Sequence, residues 1–226
     1  MVLVEICTDT LTDTIRAIQL GADRIELCYD LDTDGLTPSF DLFHDAIKLG
    51  KTHNVCIFPM IRCRAGNFVY TQDEKDLMIE QGRHFAEMGA SGLVVGALSE
   101  NNISIDIEFL KQFCDTVHAV NPAIEITFHK AFDAIKCPCS ESMIPAADAV
   151  QKYCKRLLTS GGFTTAKDGA NQIKMLVERK QPPVIIAAGG IRAQNVAEVI
   201  ALTGVEEVHS RSAEICAALG KSERMV

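Results

Sequence analysis

Apolar and polar positions along the chain change period repeatedly. Short runs rich in apolar and β-branched residues alternate with longer stretches whose apolar residues recur every three or four positions. The short runs predict strands over residues 2–7, 24–28, 55–62, 92–96, 125–129, 156–159, 184–188 and 207–210. The longer stretches predict helices over 10–20, 40–51, 73–88, 105–120, 141–153, 166–179 and 193–203, with a short one over 212–219. Phe109, Leu110, Phe113 and Val117 are an example of one such face. Gly21, Gly50, Gly89 and Gly204 fall just past predicted helix ends, where a left-handed residue is wanted.

Strands alternating with helices imply right-handed crossovers and a parallel sheet. Eight units in 226 residues is about 28 residues each, which predicts one compact (β/α)8 TIM barrel spanning 1–226 as a single domain. A doubly wound sheet is the alternative, but neither glycine-rich nucleotide fingerprint is present to support it.

Composition narrows the function classes. Hydrophobic residues are 47% and charged residues 23%, as in an ordinary soluble globular protein. The net charge of −8 offers no basic footprint for nucleic acid, and no apolar run is long enough to predict a membrane span. The start of the chain lacks the pattern of a signal peptide, so the nine cysteines are expected to be reduced thiols of a cytoplasmic protein.

In a barrel of this kind chemistry sits at the C-terminal ends of the strands. The first strand reads Leu3-Val4-Glu5-Ile6-Cys7 and the second Arg24-Ile25-Glu26-Leu27-Cys28. Alternate residues share a face, so inward acids bring both cysteines inward. Adjacent strands lie about 4.8 Å apart, which would make Cys7 and Cys28 neighbours near the barrel mouth. Two soft thiolates suit Cu(I); two small buried core residues are the alternative. Cys63 and the pair Cys137 and Cys139 are further donors at the same end, while Cys56, Cys114, Cys154 and Cys216 read as packing residues.

Other groups favour a small anionic ligand. Arg62 and Arg64, two residues apart, can present two guanidinium forks to an anion, or can pair with Glu5 or Glu26. His129 ends the fifth strand, with Asp133 following, and His209 ends the eighth. Glu5 and His129 are acid/base candidates, with Asp133 as an orienting group. The turns around Ser160, Gly161 and Gly162, and around Gly189 and Gly190, can bring backbone N–H groups to an anion, or are simply tight turns.

The chain resembles the CutC copper homeostasis family. The likeness is carried by the two acid-x-Cys strands, Gly35-Leu36-Thr37-Pro38-Ser39, Met60-Ile61-Arg62, Gly66-Asn67-Phe68, Thr127-Phe128-His129-Lys130-Ala131-Phe132-Asp133, Leu158-Thr159-Ser160-Gly161, Gly189-Gly190-Ile191 and Glu207-Val208-His209-Ser210. The resemblance implies a cytosolic, homo-oligomeric (β/α)8 barrel that binds Cu(I), with Cys7 and Cys28 as the copper ligands. It also implies an enzyme-like polar mouth with no assigned reaction. Four positions depart from the family pattern. Cys63 replaces a proline, Ala65 a glycine, Asn67 a carboxylate and Lys130 an arginine. Only residues 212–226 follow the eighth strand, which implies a shortened C-terminus.

Overall fold

The computed structural model describes residues 2–136 and 143–226. Its elements run β1 (Leu3–Thr8), α1 (Leu11–Gln19), β2 (Arg24–Leu27), α2 (Phe40–His53), β3 (Cys56–Ile61), α3 (Gln72–Glu87), β4 (Gly92–Val95), α4 (Ile107–Val120), β5 (Glu125–Phe128), α5 (Met143–Val150), β6 (Arg156–Thr159), α6 (Ala170–Glu178), β7 (Val184–Ala187), α7 (Val196–Thr203), β8 (Glu207–Ser210) and α8 (Ile215–Ala218). The strands close in chain order into a barrel, with every neighbouring pair parallel. The predicted (β/α)8 TIM barrel is therefore the fold.

Local signals explain the elements. Thr71 and Glu74 form a reciprocal capping box at the start of α3. Ser39 caps α2, and Asn54 ends it in the left-handed region. Helices α6, α7 and α8 begin three or four residues later than their apolar period predicts. The preceding residues are used in mouth loops instead: the Ala166 N–H donates to the Gly189 carbonyl at 2.9 Å, and the Arg192 N–H to Asn195 Oδ1 at 2.8 Å. The residues after α8 fold back beneath the barrel, where the Arg224 N–H donates to the Gln19 carbonyl at 2.8 Å.

Alternation splits each strand between two environments. Val4, Ile6, Ile25, Leu27, Ile57 and Ile61 face outward into one continuous apolar layer beneath the helices. The inward set is mixed. Cys28, Phe58, Met60 and Val94 form one small apolar cluster, and Leu158, Ile186 and Ala188 another. Around them lies a ladder of charge. Arg24 bonds both Glu5 and Glu207, and Arg156 bonds both Glu207 and Glu125. The two guanidinium groups lie 5.4 and 5.8 Å from the centre of the Phe58 ring, within cation–π range.

Phe58 fits because β4 opens with glycine. A Cβ at Gly92 would lie 2.2 Å from Phe58 Cζ. Gly92→Ala should therefore cost about 1–3 kcal/mol by overpacking the interior, read as a lower urea midpoint at constant slope. A loss under about 0.5 kcal/mol would mean that the ring has room to tilt.

Candidate metal and anion site

The strand ends and their loops enclose a cavity of about 500 Å³. Its wall includes Cys7, Glu26, Arg62, His129, Gly189, Gly190 and His209. One side of it gathers three metal-ligating side chains. A sulfur of Cys7, a carboxylate oxygen of Glu26 and a ring nitrogen of His209 all lie within 4.8 Å of one another. Strand register explains the grouping. Cys7 stands opposite Glu26 on β2, and β8 closes the barrel with His209 opposite Glu5.

Beneath this trio Glu5 is fully buried. Burial alone would raise its pKa, but the Arg24 charge and the bond from His209 outweigh that and hold it at about 2. A carboxylate that stays ionised can only accept, so His209 donates its Nδ1–H to Glu5 Oε1 at 2.7 Å. That leaves Nε2 as the ring nitrogen available to a metal. A histidine oriented from behind by a carboxylate is the usual support for a metal-binding imidazole. Burial opposes charge on His209, but Cys7 and Glu26 overcome it and push its pKa well above the ordinary value.

Cys28 stands apart from the trio. It is fully buried, packs with Phe58, Met60 and Val94, and its Sγ donates to Glu26 Oε1 at 3.5 Å. Burial first, then the nearby charges of Glu26 and Cys7, push its pKa well above the ordinary thiol value. Cys28 thus holds Glu26 in place from behind, and the donors that converge on the cavity are Cys7, Glu26 and His209. Cys63 is half-buried and outside the cavity wall. Cys137 and Cys139 lie outside the described residues. Cys114, Cys154 and Cys216 are buried as expected of packing residues, whereas Cys56 is exposed at the start of β3.

The anion candidates also separate. Arg64 turns away from the cavity to Glu74, and its guanidinium lies 5.0 Å from the Tyr70 ring centre. Asp133 does not orient His129. Its two oxygens accept instead from Thr159 Oγ1, from the backbone N–H and hydroxyl of Ser160, and from the Gly162 N–H. The Gly161 N–H donates to Thr159 Oγ1 at 2.9 Å. The anion-binding turn read at 160–162 is therefore already filled by the protein's own carboxylate, and Ser160 and Gly161 hold that loop closed.

Glu5 pairs with Arg24, so neither Arg62 nor Arg64 is its partner. The sequence signal for this was present: Arg24 shares parity with Glu26 on β2 and stands two residues below it, opposite Glu5.

The family model for CutC matches residues 2–214. The chain belongs to the CutC family. A CutC family protein of Pasteurella multocida is 35% identical over 207 residues, covering 91% of this chain and 80% of the relative. A solved structure of CutC, named for copper homeostasis, from Streptococcus agalactiae superposes with a TM-score of 0.85 at 30% identity. It covers 94% of this chain and 100% of its own. The shared barrel extends to phosphoribosyl anthranilate isomerase of Thermococcus kodakaraensis, with a TM-score of 0.59, 14% identity and 97% of each chain covered. That likeness concerns the fold alone. Among the described residues no helix is long and apolar enough to cross a membrane.

Proposed function

We propose that this CutC family member handles copper in the cytoplasm by binding Cu(I) at the barrel mouth. Cys7 and His209 supply the bonds, and Glu26 flanks them. The observation that carries the reading is the convergence of the three side chains within 4.8 Å, with His209 held from behind by Glu5. A thiolate and an imidazole are soft and borderline donors that suit copper, whereas a carboxylate is a hard oxygen donor and a poor Cu(I) ligand. Cu(I) would displace the Nε2 proton of His209, and one thiolate with one neutral imidazole then balances the charge of the ion, which suits a buried position. Seven described cysteines are free thiols, in keeping with a reducing compartment.

X-ray absorption on the Cu(I)-loaded protein tests the ligand set. One sulfur and one nitrogen in the first shell are expected. A two-sulfur shell would transfer the site to Cys7 and Cys28. Failure to hold Cu(I) against a chelator would end the copper reading. The Glu26 oxygen favours one second reading, a divalent ion such as zinc. Three protein ligands with a fourth position left open are the arrangement of catalytic zinc sites.

A further inference from the structure

On another part of the cavity wall, Arg62 and His129 each carry a buried donor nitrogen with no hydrogen-bond partner among the described residues. Arg62 is only 4% exposed, and its charge has no carboxylate within 4.0 Å among the described residues. It is held by carbonyls instead. Its Nη1 donates to Thr33 and Gly35, both at 3.1 Å, and its Nη2 to Gly66 at 2.9 Å. Three of the five guanidinium N–H groups are used in this way. The buried Nε has no hydrogen-bond partner among the described residues. A buried cation without a counter-charge is costly.

His129 is the second donor. It is 3% exposed, and its Nδ1 accepts the Ala131 N–H at 3.1 Å. Burial, reinforced by the charge of Arg62, lowers its pKa to about 3, so the ring is neutral. The single ring proton then sits on Nε2, which is buried and has no acceptor among the described residues. The ring is tightly placed: a Cβ at Gly96 would come 2.5 Å from its Nδ1. Phe68 joins the two donors, with its ring centre 4.8 Å from the Arg62 guanidinium carbon and 5.1 Å from the His129 ring centre.

The surrounding charge agrees. Arg62, Lys130, Arg192 and Arg211 line the cavity against Glu26, Asp34 and Asp133, in a chain whose net charge is −8. Asp133 is already saturated by the 160–162 turn, and Asp34 is bonded to Arg211. A neutral imidazole donor and an uncompensated guanidinium are complementary to an oxyanion. The remaining wall, with Met60, Leu158, Ala188 and Ile191, is apolar.

We propose that Arg62 and His129 form a binding site for the oxyanion group, carboxylate or phosphate, of a small organic molecule. Its apolar part would rest on Leu158 and Ala188. This site is separate from the Cys7 and His209 donors, so the CutC barrel would accept an organic ligand as well as a metal.

Calorimetry on the full chain, treated with chelator, tests the site with malonate and with inorganic phosphate. At least one of the two should bind, and which one binds identifies the class. His129→Asn keeps an acceptor for the Ala131 N–H but removes the Nε2 donor. Arg62→Lys keeps the charge but loses the fork. Each should weaken binding about tenfold, as expected for one lost charge-assisted bond. Cys7→Ser should leave the anion affinity within about twofold, which separates this site from the metal reading. Failure of both anions to bind the wild type, or unchanged affinity in both variants, would overturn the proposal.

Discussion

Arg24→Ala should cost about 3–5 kcal/mol, the range found when one partner of a buried ion pair is removed. Arg24 is 2% exposed and joins two carboxylates, Glu5 and Glu207, that come from the strands either side of the barrel closure. Glu5 is fully buried and would keep only His209 as a partner. The ion pairs also raise the pKa of Arg24 above its ordinary value despite burial. The cost comes from stranding charge, not from the worth of the pair. Arg24→Met combined with Glu5→Gln should therefore be less destabilised than the sum of the two single changes, with a coupling of about 0.5–3 kcal/mol. Urea unfolding of wild type, Arg24→Met, Glu5→Gln and the double variant measures the coupling, with Arg24→Ala unfolded alongside. If Arg24→Ala lies within about 1 kcal/mol of wild type, water reaches the ladder and the interior is not dry.

The barrel was legible because its signal is local. Each strand carries its own apolar run, and capping residues such as Thr71 and Ser39 mark where helices begin. The inward direction of Glu5, Cys7, Glu26 and Cys28 was legible too, since parity depends on one strand at a time. Height along the barrel axis was not. In a closed barrel the strands are staggered, and the stagger places Cys7 opposite Glu26 instead of Cys28. The contact between β8 and β1 that brings His209 to Glu5 joins residues 204 apart in sequence. No local pattern reports such a pairing. Asp133 illustrates a further limit. The sequence shows a carboxylate after β5 and a glycine turn after β6, but only folding reveals that one fills the other. The charge ladder left a signal that was readable in retrospect. Arg24, Arg156, Glu125 and Glu207 all sit at or near strand starts with inward parity.

The two cysteines singled out by sequence should separate sharply in Cu(I) affinity. Cys7→Ser should weaken Cu(I) binding by at least about a hundredfold, since it replaces a soft ligand with a hard one. Cys28→Ser should change it by no more than about threefold, the effect of a small disturbance behind a flanking group. Geometry sets the difference. The Cys7 sulfur faces the cavity beside His209, while the Cys28 thiol is turned into the Phe58, Met60 and Val94 cluster and bonded to Glu26. Energetics point the same way. Ionising Cys28 would add a further negative charge beside those of Glu26 and Cys7 in a fully buried position, where an unpaired anion is least tolerated. Serine at position 28 retains a hydroxyl that can still donate to Glu26, so the support behind the site survives. Chelator competition on wild type, Cys7→Ser and Cys28→Ser decides the matter, with urea midpoints confirming that each variant is folded. Equal losses in the two variants would mean that copper draws Cys28 out of its apolar cluster and binds between two thiolates. The three-donor grouping would then belong only to the metal-free protein.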